Sequence, residues 1–250
     1  MVRQTVTDNP PRRDAFPTTR ISLILAARGE SEPVAREALA VLCQSYWYPI
    51  YAYLRRLGHA RDAAEDLTQG FFARVLEKHY LDDFERQRGR FRSYLLTALK
   101  HYVANERDRD HAQKRGGAVA MLSLDTVLAS AETRYRLEPS TELTPERIFE
   151  QQWALAVLVR VQERLAGEEA DGGRGDRYDR LKVFLTGEDS DVRYRTLAEE
   201  LQTTEGAIKV SIHRLRRRFR DLLREEISHT VAHADDVGDE LRHLLTALRG

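Results

Sequence analysis

Apolar residues recur at intervals of three and four along most of this chain, and no stretch alternates apolar and polar positions as a strand would. The pattern predicts an all-α protein. Residues 19–28 read as a short first helix. Ser31, followed by Glu32 and Pro33, is a good helix start. The helix it opens carries Val34, Ala38, Val41, Leu42, Tyr46, Tyr53, Leu54 and Leu57 and stops at Gly58. Pro49 inside it predicts a kink or break. A further helix covers residues 60–78, with Ala64, Leu67, Phe71, Phe72, Val75 and Leu76. A charged, Arg-rich loop over residues 81–90 leads to a long helix from Phe91 to about Arg109, carrying Leu95, Leu96, Leu99, Tyr102 and Val103. Residues 21–110 thus form one helical module, long enough for a small core. Residues 1–20 read as a disordered lead-in.

The periodicity fades over residues 111–143, where Gly116, Gly117, Pro139 and Ser140 mark an irregular linker. Leu122, Leu124, Val127 and Leu128 could form a short docking piece inside it. Thr144 and Pro145 open a helix through Phe149, Trp153, Leu155, Leu158 and Val161 to Leu165. The stretch GEEADGGRGD (residues 167–176) reads as a flexible loop and lacks the lysine and flanking strand of a phosphate-binding loop. A short helix over residues 178–185 ends near Gly187, and a second domain extends over residues 144–227. Residues 228–250 form an extension with a small helix carrying Val237, Leu241, Leu244, Leu245 and Leu248.

The most informative segment is residues 194–224. Leu197, Ala198 and Leu201 make one face of a short helix, and Gln202 and Thr203 break it. Thr204 fits the N-cap of the next helix, whose apolar stripe is Ile208, Ile212, Leu215, Phe219 and Leu222. Off that stripe lie Lys209, His213, Arg214, Arg216, Arg217, Arg218 and Arg220. A short helix, a tight turn and a capped basic helix form the helix-turn-helix geometry that enters a DNA major groove. Basic faces on amphipathic helices are also often merely solvated.

Composition narrows the picture. The 250 residues include 40 basic and 40 acidic side chains, so net charge names no polyanionic partner and only the clustering of Arg points to one. Cys43 is the single cysteine, which excludes a disulfide framework and a cysteine-based zinc site. The eight histidines show no metal-binding spacing, and the carboxylates are interleaved with Arg as on solvated helices. No metal, cofactor or catalytic residue is expected, and nothing argues for an enzyme. No apolar stretch reaches membrane-spanning length, and the N-terminus lacks a signal peptide's apolar segment, so a cytoplasmic protein without membrane insertion is expected.

Two segments together resemble one family. AEDLTQGFFARVL (residues 64–76) resembles the most recognisable helix of bacterial sigma factors of the extracytoplasmic-function (ECF) group, typically D-A-E-D-L-x-Q-E-x-F. TEGAIKVSIHRLRRR (residues 204–218) resembles the S-E-G-T-V-K-S-R-L-H-R-A-R pattern of their second DNA-binding domain. Order, spacing and the intervening linker agree over residues 31–226. The resemblance implies a promoter-specificity subunit that binds core RNA polymerase and recognises and melts promoter DNA.

By position, the resemblance places Glu65, Asp66, Gln69 and Phe72 on the clamp of the polymerase largest subunit. It places Phe91, Tyr94, Lys100, His101, Tyr102, Asn105, Arg107 and Arg109 at the −10 element. Aromatic rings can stack on an unpaired base while cations hold the strand, and the loop at 81–90 lies where the family places a flipped-base pocket. Tyr94 and Tyr102 can also be read as core residues whose hydroxyls reach the surface, and for Tyr102 the two readings weigh evenly. Thr204, Glu205, Gly206, Lys209, Val210, His213, Arg214 and Arg217 would face the −35 element. Val210 stands where a serine is frequent, Ser211 where an arginine is frequent, and Gly70 where a glutamate often stands. The resemblance also implies partnership with an anti-sigma protein or other regulator. Two alternatives stay open: a free-standing helix-turn-helix regulator that dimerises through its C-terminal Leu stripe, and a sigma-like adaptor without promoter activity.

Overall fold

The computed structural model describes residues 45–76, 90–112, 143–185, 191–231 and 233–249, together with Ala131, Arg134 and Tyr135. The expected lead-in, the helix at 19–28, the first part of the helix from Ser31 (residues 31–44), the loop at 81–89 and most of the linker lie outside the described residues. The described chain is all helical. Its helices are α1 (residues 45–56), α2 (Arg61–Leu76), α3 (Phe91–Ala112), α4 (Pro145–Asp171), α5 (Gly175–Leu181), α6 (Asp191–Glu200), α7 (Glu205–Ser228) and α8 (Val237–Arg249). Single 3₁₀ turns, Lys182–Phe184 and Ala234–Asp236, follow α5 and precede α8.

α1 runs helical straight through Pro49, against the expected break. Every residue from Ser45 to Leu54 is buried, so packing on all sides holds the helical path despite the missing proline N–H. Trp47 stacks on Tyr51 with ring centroids 5.3 Å apart. The helix stops where expected: Gly58 adopts φ +94°, and its N–H and that of His59 close back on Arg55 and Leu54. Phe71, Phe72 and Val75 of α2 and Phe91, Leu95 and Leu99 of α3 complete the first core.

α4 is the spine of the molecule. Thr144 Oγ1 accepts from the Arg147 N–H at 3.3 Å and Pro145 sits at the first helical position, which starts the helix cleanly. Ile148, Phe149, Trp153, Ala154 and Val157 join the first core. Val161 and Leu165 join a second core with Tyr178, Leu181, Phe184, Tyr194, Leu197, Ile208, Ile212, Leu215 and Leu222. The glycine-rich stretch is shorter as a loop than the sequence suggests. α4 continues to Asp171, and only residues 172–174 turn, with Gly173 at φ +70°. Glu168 and Glu169 stay helical and hold Arg218 and Arg174.

The helix expected in the C-terminal extension packs against the first core. Ile227 at the end of α7 and Leu244 of α8 belong to the first core, with Val237, Leu241 and Leu248 packed against it. The Phe91 N–H donates to the Thr230 carbonyl at 3.1 Å, and Arg90 and Val231 form an isolated antiparallel bridge. The first half of α4, the end of α7 and α8 therefore contribute to the same core as α1–α3.

Candidate polymerase and nucleic-acid interfaces

α2 presents an acidic edge because Ala64, Phe71, Phe72 and Val75 turn inward. Asp66 is exposed, while Glu65 and Gln69 are half-buried beside it. Glu65 Oε1 accepts from Arg61 Nε at 2.9 Å, one turn earlier, so part of its charge is neutralised. Phe72 is buried in the core at ring distance 5.9 Å from Phe71, and its ring is not on the acidic edge. Apolar spacing alone cannot separate an inward from an outward phenylalanine at the border of a stripe.

α3 divides the expected −10 residues into two sets. His101, Asn105 and Arg107 are exposed. Lys100 is exposed too, but its Nζ lies 2.8 Å from Glu146 Oε1. That hydrogen bond raises the Lys100 pKa and lowers that of Glu146. Phe91 is fully buried and Tyr102 nearly so, while Tyr94 is half-buried with its ring 6.2 Å from Phe91. Phe91 and Tyr102 are therefore core residues here, because the first core needs large side chains from α3. Arg109 lies in α3, but its side chain is outside the described set.

In α7 the sequence and the geometry meet most closely. α6 ends at Glu200, Gln202 takes φ +49° in the turn, and Thr204 Oγ1 accepts from the Ala207 N–H at 3.2 Å. The expected N-cap is present. Ile208, Ile212, Leu215 and Leu222 are buried, each contributing on the order of 1.5–3 kcal/mol of burial. Opposite them Gly206, Lys209, Val210, His213, Arg214 and Arg217 are exposed. Lys209 Nζ lies 5.2 Å from the Tyr194 ring centroid. Thr204 is exposed, and Glu205 meets Arg195 Nε at 3.4 Å.

The remaining arginines of α7 separate by partner. Arg218 makes two hydrogen bonds to the Glu168 carboxylate, both 2.7 Å, which lower the Glu168 pKa. Arg216 Nε donates to the Phe184 carbonyl at 2.9 Å. Ser211, where arginine is frequent in the resembled pattern, receives Arg177 Nη2 at 2.7 Å and so docks α5. Arg220 and Arg224 extend the exposed face by two further turns. Their spacing from Arg217 carried that signal in the sequence, and the expected site omitted them.

An acidic edge on α2, cations on α3 and a capped cationic face on α7 share one chain. Residues 42–112 match the family model of Sigma-70 region 2. The match is a likeness of this one stretch, under a third of the chain, to that region. It spans α1 to α3 and leaves α4 to α8 unmatched. No curated protein and no solved structure matches the chain. Among the described residues no helix is long and apolar enough to cross a membrane.

Proposed function

We propose that this chain is an ECF-type promoter-specificity subunit of bacterial RNA polymerase. In this reading the α2 edge, centred on Asp66, docks on the clamp of the largest subunit. Lys100, His101, Asn105 and Arg107 of α3, with Tyr94, act at the −10 element. The exposed face of α7, from Gly206 to Arg217, enters the major groove at the −35 element. The observation that carries the reading is the Sigma-70 region 2 match followed downstream by a side-chain-capped helix with one cationic, outward face. The Leu stripe of α8 favours this over a dimeric regulator, since Leu244 is fully buried within the chain.

Run-off transcription with purified core polymerase tests it, with the transcripts sequenced. Discrete, chain-dependent start sites support the reading. Polymerase binding without starts points to an adaptor. DNA binding without polymerase binding points to a free-standing regulator.

A further inference from the structure

One side chain of α7 faces water against its own chemistry. Val210 is 51% exposed, the one large apolar side chain that α7 exposes. Ile208 and Ile212, two residues before and after it, are both buried. At about 3.6 residues per turn, Val210 therefore points directly away from the second core. It gains little burial within the chain, and a β-branched residue loses side-chain freedom in a helix. Nothing in the described fold accounts for a valine there.

The neighbours indicate what this outward strip meets. Gly206 lies one turn before Val210, His213 and Arg214 one turn after, and Arg217 two turns after, all of them exposed. Glu205 lies off the strip and meets Arg195 Nε at 3.4 Å, and the first carboxylate on the strip is Asp221, three turns on. A polyanion fits such a surface. Gly206 is a second, independent sign. A Cβ at that position would meet only Thr204 Oγ1, at 3.9 Å, so no packing inside the chain demands glycine. Glycine weakens a helix. Its use here is a bare stretch of backbone that lets the start of the helix come close to a groove wall.

The base edges of the major groove carry hydrogen-bonding groups and one kind of apolar group, the C5-methyl of thymine. Valine has no donor or acceptor. Set against a base amino group or ring nitrogen, it would exclude water without replacing the hydrogen bond, which is costly. Set against a methyl, it strands no polar group. Its stiff χ1 also holds its methyls in place, so little freedom is lost on contact.

We propose that Val210 is a specificity residue of the −35 contact: it packs on the C5-methyl of a thymine and selects T·A at one base pair. The assignment deepens the sigma-factor reading and rests on it.

The test starts from core polymerase with the whole chain, run on templates with a randomised −35 window and the starts sequenced. One T·A pair in the window should be fixed for the native chain and relaxed for Val210→Ser. On the selected promoter, replacing that thymine by deoxyuridine removes only the methyl. It should weaken the native complex about four- to tenfold and leave the Val210→Ser complex unchanged. With the native chain alone, 5-methylcytosine at that position should bind better than cytosine. The deoxyuridine arm changes only the DNA, so it decides even where the variant folds less well. A window with no fixed T·A pair overturns the assignment, as does deoxyuridine binding as well as thymine throughout, or a methyl effect that Val210→Ser retains. In those cases starts still occur and the sigma reading stands. A chain that directs no starts ends both.

Discussion

The hydroxyl of Tyr102 on α3 lies in the space where a side chain on Gly70 of α2 would begin. The Tyr102 ring is 8% exposed and packs 5.8 Å from Phe71, so it has little room to retreat. This accounts for a glycine in mid-helix, where it ordinarily costs about 1 kcal/mol relative to alanine. It also explains why the glutamate frequent at this position in the resembled pattern is missing. Gly70→Ala should destabilise the chain by about 1–3 kcal/mol through overpacking. In a Tyr102→Phe background the same change should become neutral or stabilising. A double-mutant cycle by chemical denaturation measures the coupling; additive effects would remove the steric explanation.

The docking edge should depend unequally on its carboxylates. Asp66 is exposed, whereas Glu65 is partly satisfied by Arg61. Asp66→Arg should weaken binding to core polymerase by roughly tenfold or more, and Glu65→Gln by less. Titration with labelled core polymerase, alongside circular dichroism to verify folding, checks the order. Equal losses, or none, would remove Asp66 from the centre of the contact.

Neighbouring arginines on α7 should fail in different assays. Arg217 is exposed on the outward face, so Arg217→Ala should reduce promoter affinity and make the salt slope shallower by about 0.9. Arg218 is committed to Glu168, so Arg218→Ala should lower thermal stability and leave the slope unchanged. Ile212→Ala should cost about 2–5 kcal/mol of stability through a cavity in the second core. Promoter affinity at several salt concentrations, with melting curves in parallel, separates the three.

Lys100 must leave Glu146 before it can hold a DNA strand. Glu146→Gln should tighten promoter binding and steepen its salt dependence, because a cation is freed. Unchanged binding would mean that Lys100 does not reach the nucleic acid.

Acid should loosen the junction of α4 and α7. The Arg218 hydrogen bonds hold the Glu168 pKa below its ordinary value, so Glu168 binds its proton more weakly in the folded chain. Its contribution is therefore fully present above the unfolded value and is lost as pH falls through the folded one. The stability gap between the native chain and Glu168→Gln should shrink between about pH 5 and pH 3. The gap should be modest throughout, since both side chains are about two-fifths exposed. Denaturation midpoints across that range provide the measurement, and a gap that widens on acidification would contradict it.

Local order was legible in the chain itself. Thr204 and Thr144 announce their helices because capping needs only a hydroxyl three residues from a free N–H, and Gly58 announces a stop because few residues tolerate positive φ. The outward face of α7 was legible too, since helical periodicity places Lys209, His213 and Arg217 opposite Ile208, Ile212 and Leu215. Tertiary structure decided the rest. Burial on all sides keeps α1 helical through Pro49, overriding a local preference. Phe72, Phe91 and Tyr102 go inward because two helices must fill one core, which periodicity does not resolve for aromatics at the edge of a stripe. Arg218 meets Glu168, 50 residues away, and Arg92 meets Glu240, 148 residues away. Charges so far apart in sequence carry no local signal. Only the fold makes them partners, burying Arg92 and Glu240 together and leaving Arg218 and Glu168 part-exposed at a helix junction.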